Sequence, residues 1–337
     1  MSNRVRLLLS AGAGIPVGLL YGLVVRWLFG LDVPAGPEVS DAFIAFTNVL
    51  ETMSIAFLFV VPVVIGALTV RIAPDEQRRS VPFALLMPWV STILTLITVA
   101  LLGMEAVICL VMALPIFLVL ASLGGYLFRL PEDEIAPRSD RRQNMTLALL
   151  ALLPFLVAPI EQRLPTPDRY PVVENTILID APVEAVWENI ASVPLIQPEE
   201  QGFSAFHLLG LPKPLEATLS HEGVGGVRQA TFENNLAFVE TVTEWAPPYR
   251  ISFSIVRDRD PRLPAPLTQI GGKYFDVLDG QYVVEPLADG RVRLHLRSTH
   301  RLSTTFNLYG SLWTERIMSD LQGYILRIIK ARAEAGA

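Results

Sequence analysis

The sequence has few residues of the kinds that build disulfide frameworks, metal centres and nucleic-acid surfaces. Its one cysteine, Cys109, lies in an apolar run, which excludes a disulfide framework and a cysteine-based metal site. The histidines show no ligand-like spacing, so we expect neither a metal nor another cofactor. The formal net charge is −6, and no basic footprint for nucleic acid is present. We therefore expect no nucleic-acid partner.

Apolar residues are abundant instead, and they are concentrated before residue 161. Hydrophobic residues make up 51% of the chain and the mean hydropathy is +0.43, above the usual values for soluble domains. Two of the apolar runs are long and uncharged, as expected of helices that cross the hydrocarbon core of a membrane. The last run is short for a helix that crosses a membrane. The predicted spans are residues 7–29, 42–70, 81–103, 106–128 and 145–160.

The first apolar run has two interpretations. Arg4 and Arg6 precede it, as in a secretory signal peptide. Its length, the lack of a cleavage site and the later spans favour a retained membrane helix. Gly14, Gly18 and Gly22 form one stripe, which would let another helix approach closely. Glycine is also simply common in membrane helices, and the sequence leaves both explanations of the stripe open.

Two carboxyl groups, Glu51 and Glu105, stand near the predicted spans. An ionisable residue inside a membrane is by default a candidate for a functional site. Both residues lie near span ends, however, where solvation at the membrane surface accounts for them. The sequence therefore predicts no proton or ion pathway.

The arginines are distributed unequally between the two sides of the predicted bundle. Positive residues favour cytoplasmic loops, so the side with more arginines is expected to be cytoplasmic. With five spans, this places the N-terminus in the cytoplasm and everything after residue 160 outside a bacterial inner membrane. The first side holds Arg4, Arg6, Arg71, Arg78, Arg79, Arg129, Arg138, Arg141 and Arg142, and the other holds Arg26, Arg163 and Arg169.

The pattern changes after a polar, proline-punctuated segment at residues 161–171, which predicts a semi-rigid tether. Residues 172–180 predict a strand, and a short helix follows with Asp180 as its cap. Alternating segments separated by turn residues then predict an antiparallel sheet. These strands are residues 216–221, 227–233, 237–245, 250–257, 274–287 and 291–305.

The last two strands allow their register to be predicted. A three-residue turn with Gly290 in the left-handed conformation pairs Val284 with Leu294 and Tyr282 with Leu296. A two-residue turn would mix apolar and charged residues on one face, so we prefer the longer turn. In this register, Ser298 and His300 continue the apolar face.

The final segment, Phe306–Glu334, contains no proline and predicts one long helix. Large apolar residues recur in it at steps of three and four, which places them on one face. We expect this face to pack against the sheet. It consists of Tyr309, Trp313, Ile317, Leu321, Tyr324 and Ile328.

Four segments of the second half carry a resemblance to a known superfamily: residues 177–190, 223–255, 279–303 and 312–334. Together they resemble the SRPBCC or START-like helix-grip superfamily, which includes polyketide cyclases, dehydrases and lipid-transport proteins. With residues 206–217, they look most like a bacterial subgroup fused to transmembrane helices. The expected fold class is therefore multi-domain: an N-terminal all-α transmembrane bundle and a C-terminal α+β helix-grip domain over residues 172–334. In such a domain, an antiparallel sheet wraps around a long C-terminal helix.

The resemblance implies an apolar ligand held between the sheet and the last helix. The alternative is that the same residues fill a solid core. By position, the predicted ligand-binding residues are Tyr282, Val284, Leu294, Leu296, Ser298, His300, Tyr309, Trp313 and Ile317. His300 is the inward histidine and the one catalytic candidate, although a lone inward histidine is more often a hydrogen-bonded core residue.

A proline-rich loop at Asp258–Gly272 is predicted to be either a lid for this site or an exposed connector. We predict binding, transfer or presentation of a hydrophobic, lipid-like molecule beside the bilayer. The alternatives are a membrane-tethered cyclase, dehydratase or hydrolase, and a regulatory module that signals through the bundle.

Overall fold

A computed structural model describes residues 14–31, 50–130 and 140–336 of the chain. The chain divides into two compact units, Met1–Pro165 and Thr166–Ala337. Each unit has hydrophobic clusters of its own. The predicted spans 7–29 and 42–70 fall partly outside the described residues.

The described part of the first unit is helical. Helix α1 covers Gly14–Phe29, and a π-helical turn at Ala56–Val60 leads directly into the next helix. The later long helices follow the predicted spans closely, except that the last one begins before residue 145. The helices are α2 Val61–Arg71, α3 Asp75–Arg79, α4 Val81–Leu101, α5 Val107–Leu127 and α6 Asp140–Glu161.

Among the residues that the structure describes, two helices, α4 and α5, are long and apolar enough to cross a membrane. Each has 21 residues, and a rise of about 1.5 Å per residue gives a length close to the ~30 Å hydrocarbon core. Three other apolar segments are shorter: Gly14–Phe29, Ala56–Arg71 and Met145–Glu161.

The glycine stripe of α1 lies where neighbouring helices approach closely. A Cβ atom on Gly14 would lie 1.9 Å from the backbone oxygen of Thr69, and one on Gly18 would lie 2.5 Å from the Thr69 hydroxyl. On Gly22 it would lie 2.7 Å from the side chain of Thr95. The close-approach explanation of the stripe therefore applies in this unit.

Carboxyl groups tie together helix ends in the first unit. Glu105 pairs with Arg26 at 2.8 Å, which joins the end of α1 to the turn between α4 and α5. The buried Glu161 accepts hydrogen bonds from the backbone N–H groups of Ile55 (2.7 Å) and Ala56 (3.0 Å). Because the first N–H groups of a helix lack partners within it, this carboxylate satisfies the start of the π-helical turn.

The second unit is a curled, seven-stranded antiparallel sheet with a long helix, α9 (Asn307–Ala335), packed along it. Its strand order is β1-β7-β6-β5-β4-β3-β2. Two short helices, α7 (Val183–Ala191) and α8 (Ala205–Leu208), lie between β1 and β2. The strands are β1 Val172–Ile179, β2 Pro214–Leu219, β3 Val227–Phe232, β4 Ala237–Ala246, β5 Arg250–Arg257, β6 Phe275–Pro286 and β7 Val292–Leu302.

The register of the last hairpin is as predicted. Val284 pairs with Leu294 and Tyr282 with Leu296, and Gly290 has a φ of 87°. Glycine adopts this left-handed conformation without the steric cost that a side chain brings. The alternation of β7 therefore directs Ser298 and His300 to the buried face, as expected.

Two local predictions are wrong. Asp180 does not cap α7, because the helix begins after Pro182, whose φ is already compatible with a helix start. The backbone N–H of Asp180 instead donates to Glu334 on α9. The tether is also shorter than residues 161–171. Glu161 still belongs to α6, and Arg169 exchanges backbone hydrogen bonds with Leu302 at the end of β7.

Candidate functional site

A cavity of about 130 Å³ lies between the buried face of the sheet and α9. Strands β2 to β7 and the middle of α9 supply its walls. Most of the lining side chains are apolar. They are Val193, Ile196, Pro214, Glu216, Ala217, Arg228, Ala230, Thr231, Phe232, Phe238, Glu240, Phe253, Ile255, Val277, Gly280, Tyr282, Leu296, Ser298, Met318, Leu321, Gln322 and Ile325.

Strand alternation selects most of these residues. Successive side chains point to opposite faces, so every second residue of β3 and β4 lies on the face of the sheet that contains the cavity. Arg228 pairs with Glu240, and Ala230 pairs with Phe238. Two charged residues therefore lie in the same wall of the cavity as two apolar residues. Gly280 leaves room for its cross-strand partner, since a Cβ atom there would lie 2.4 Å from the Phe253 ring.

Arg228 and Glu240 form a buried ion pair in this wall. Arg228 Nη1 donates to Glu240 Oε2 at 2.6 Å, and the two residues are 4% and 8% exposed. The guanidinium carbon also lies 5.4 Å from the Phe253 ring centroid and 6.0 Å from that of Tyr282. Burial raises the pKa of Glu240, and Arg228 opposes that rise. An ion pair of this kind is costly to break, because the remaining charge has no counter-charge.

A second polar group lies on the wall formed by β7 and α9. Gln322 Nε2 donates to Ser298 Oγ at 2.7 Å and to the backbone oxygen of Val173 at 3.1 Å. Both side chains line the cavity and are buried. This group lies three strands away from β4, roughly 14 Å along the sheet at ~4.8 Å per strand. The cavity therefore has two separate polar regions with an apolar surface between them.

Three of the predicted ligand-binding residues line the cavity: Tyr282, Leu296 and Ser298. Val284 and Leu294 lie outside its lining, in a filled hydrophobic cluster with residues of α7 and the end of α9. The predicted face of β6 and β7 thus contributes to the cavity at one end and to solid core at the other.

His300 is fully buried but is not part of the cavity lining. Its Nε2 lies 3.0 Å from Thr314 Oγ1, and its ring centroid is 5.4 Å from that of Phe275. Burial lowers the pKa of His300 to about 4, so the imidazole is neutral at pH 7. These contacts are those of a hydrogen-bonded core residue.

The prediction that Tyr309, Trp313 and Ile317 face the sheet is wrong. All three are only partly buried and lie outside the cavity lining, whereas Thr314 and Met318 beside them are buried. The first turns of α9 approach the sheet closely, and the buried positions there are Asn307, Gly310, Ser311, Thr314 and Met318. A Cβ atom on Gly310 would lie 3.0 Å from the Leu302 side chain, so small residues face the sheet and the aromatic rings lie beside them.

Sequence reasoning missed the charged pair and Gln322. A signal for the pair exists, because Arg228 alternates with Ala230 and Phe232, while Glu240 alternates with Phe238 and Val242. Opposite charges at inward positions of consecutive strands are therefore visible in the pattern. Gln322 carries no such signal, since α9 has many polar residues.

Ionic and polar contacts fasten residues 194–204 to α9 beside the cavity. Arg332 donates to Glu200 through Nε at 2.6 Å and also contacts the backbone oxygens of Pro194 and Leu195. This ion pair lowers the pKa of Glu200 to about 2. Ser204 donates to Asp320.

The proline-rich loop predicted as a lid or a connector also packs inward. Leu263 and Leu267 are buried in one cluster with Tyr324 and Ile328 of α9. The loop is therefore anchored to the helix and is not a freely exposed connector. Within the described residues, no group of three histidine, cysteine or acidic side chains is placed to hold a metal ion.

No protein-family model matches the chain, and no curated protein does. Solved structures match about half of it. A START superfamily protein from Mycobacterium smegmatis is 10% identical, with a TM-score of 0.34, over 49% of this chain and 99% of that one. A truncated norcoclaurine synthase from Thalictrum flavum is 11% identical, with a TM-score of 0.31, over 50% and 94%. DynU16, a protein of the dynemicin biosynthetic locus, is 16% identical, with a TM-score of 0.30, over 49% of each chain. The order of the strands and the packing of α9 along the sheet are consistent with a helix-grip domain.

Proposed function

We propose that the second unit binds a small, mostly apolar molecule between its sheet and α9, in a protein anchored in a membrane by its apolar helices. The cavity carries this proposal. Protein interiors are close-packed and contain few voids larger than a water molecule. An apolar cavity of about 150 Å³ is enough to bind benzene. A cavity of about 130 Å³ with mainly apolar walls therefore suits a compact hydrophobic ligand.

The membrane part of the proposal rests on α4 and α5, which have the length and composition of spans. We extend it to a multipass bundle in a bacterial inner membrane, with the N-terminus in the cytoplasm and the second unit outside. The arginine distribution supports this orientation. Binding beside the bilayer would serve transfer or presentation of a molecule that partitions into lipid.

Mass spectrometry of organic extracts tests the binding. The full chain would be purified in lipid nanodiscs, with an Ala230→Leu variant, which fills the cavity, as the matched control. We expect a small hydrophobic compound to be enriched in the wild-type extract and depleted in the variant extract. Identical extracts, with no small hydrophobic compound binding more tightly to the wild type, would refute the proposal.

A membrane-tethered enzyme is the second candidate, because ionisable groups with shifted pKa values lie inside the cavity. Burial raises the pKa of both Glu240 and Tyr282. An acid or base must reach its substrate, so these residues are better placed for chemistry than His300. If extracts of the wild type contain a converted product that Glu240→Gln abolishes while ligand binding persists, the enzyme is the correct description.

A further inference from the structure

The orientation of the Gln322 amide is fixed by its surroundings. Its nitrogen faces the backbone oxygen of Val173, which can only accept a hydrogen bond. Turning the amide over would place two acceptor oxygens against each other. The nitrogen therefore points to Val173 and Ser298, and the oxygen, Oε1, is directed away from these two partners.

This arrangement leaves one acceptor and one donor unused at the cavity wall. Gln322 is 3% exposed, and Oε1 receives no hydrogen bond from any residue that the structure describes. Ser298 uses its oxygen to accept from Gln322, and its hydroxyl hydrogen has no acceptor among the described residues. A buried polar atom without a partner costs free energy, so both groups favour a ligand that forms the missing hydrogen bonds.

We infer that the cavity selects an uncharged ligand with a hydroxyl group, and that Gln322 and Ser298 are the residues that recognise this group. The inference rests on the proposed binding function and specifies its ligand class. A hydroxyl both donates and accepts, so it satisfies Gln322 Oε1 and the Ser298 hydrogen together. A hydrocarbon satisfies neither group, and a carboxylate, which only accepts, would face the Gln322 oxygen.

The charges of the cavity also disfavour an anionic ligand. Among the described residues that line the cavity, Arg228 is the one basic residue, and it is already paired with Glu240 at 2.6 Å. Glu216 adds a second acidic side chain to the wall. A buried carboxylate ligand would therefore have to displace Glu240 from Arg228 or remain without a counter-charge, and either is costly.

Apolar side chains surround the hydroxyl site and limit what the ligand carries beyond that group. Leu296 lies two residues before Ser298 on β7, Met318 and Leu321 lie four residues and one residue before Gln322 on α9, and all three line the same cavity. Together with the volume, they favour one aromatic ring or a short alkyl chain attached to the hydroxyl. We therefore use 4-ethylphenol as the probe, 4-ethyltoluene as its methyl isostere, and 4-ethylbenzoate as the anionic analogue.

The experiment measures the affinity of the three compounds for the full chain in nanodiscs by equilibrium dialysis, with empty discs subtracted. The variants are Gln322→Leu and Ser298→Ala, so that one remains informative if the other does not fold. Ser311→Ala is the matched control, because it removes a buried hydroxyl of α9 that lies outside the cavity lining. The decisive quantity is the affinity for 4-ethylphenol divided by that for 4-ethyltoluene.

We expect Gln322→Leu and Ser298→Ala to lower this ratio, by about tenfold for Gln322→Leu, because each removes a hydrogen bond to the ligand. Ser311→Ala should leave it unchanged, and 4-ethylbenzoate should bind weakest. If the wild type binds both neutral compounds and neither variant changes the ratio, hydroxyl recognition is wrong while hydrophobic binding stands. Variants that weaken the binding of both compounds equally would also refute hydroxyl recognition. If neither compound binds the wild type better than Ala230→Leu, the binding function itself is refuted.

Discussion

Replacing Ala230 with leucine distinguishes a real cavity from a filled core by the sign of the stability change. Ala230 is 7% exposed and lines the cavity from β3, where its side chain faces the apolar wall beside Phe238. In a cavity, the larger side chain occupies empty space and gains contacts. In a close-packed core, the same side chain would force its neighbours apart.

The magnitude follows from the added atoms. Leucine adds three carbon atoms, and at about 0.8 kcal/mol per buried methylene the gain is about 2.4 kcal/mol. Fixing the leucine rotamer costs about 0.5–1 kcal/mol, which leaves a stabilisation of about 1.5 kcal/mol. Inserting methylenes into a well-packed core instead destabilises by about 1–3 kcal/mol. The two outcomes are therefore opposite in sign and separated by several kcal/mol.

Hydrogen exchange of peptides from β3 and β4, measured on the full chain in nanodiscs, reports this change within the second unit. We expect amides that exchange through opening of the sheet to slow by about tenfold in Ala230→Leu. Ala333→Leu is the matched control. Ala333 is 1% exposed and lies in the filled cluster of α9 and α7, so the same substitution there should accelerate exchange.

Acceleration of exchange in Ala230→Leu, to the extent seen in Ala333→Leu, would refute the cavity. The cavity-filling argument would fail with it, and the binding function would lose its supporting observation. Slower exchange together with unchanged affinity for 4-ethylphenol would instead place the ligand elsewhere, because the added side chain would then occupy space that no ligand uses.

Four further predictions follow from the same structure. Arg228→Met should destabilise the second unit by about 3–5 kcal/mol in denaturant unfolding, whereas adding Glu240→Leu should recover most of the loss, because no unpaired charge then remains. His300 binds its proton more readily when unfolded, since burial lowers its pKa from 6.5 to about 4. The stability that neutral His300 contributes is fully present above pH 6.5 and is lost as the pH falls toward 4. Over this range the free energy of unfolding of the wild type should fall by up to about 3 kcal/mol, and that of His300→Gln should fall by less. Equal losses would contradict the burial of a neutral His300. Gly14→Ala should reduce the yield of folded protein in detergent, because its Cβ would lie 1.9 Å from a backbone oxygen; a normal yield would exclude that close packing. Alkaline phosphatase fused after Ala337 should be active if the second unit is exported. An inactive phosphatase fusion, together with a fluorescent protein fused at the same position that is fluorescent, would show that the orientation is opposite to the predicted one.

Local sequence patterns were enough to predict much of this fold. Strand alternation and turn residues set the position of β5 and the register of β6 on β7, because a one-residue shift would reverse the faces of both strands. Uncharged length alone predicted α4 and α5. These features depend on residues that are close in sequence or belong to one hairpin, so the sequence of this chain is enough to predict them.

The face of α9 that meets the sheet and the position of the cavity were decided by tertiary packing. Aromatic spacing favoured the face of Tyr309 and Trp313, but the sheet comes so close to the start of α9 that only small side chains fit. The cavity opens where Ala230 and the curvature of seven strands leave space that α9 does not fill. The Gln322 oxygen is left unpaired only because Val173 of β1 and Ser298 of β7 both accept hydrogen bonds from the Gln322 nitrogen. Packing volume and the hydrogen bonds of a buried amide are properties of several strands and a helix together, and local periodicity does not determine them.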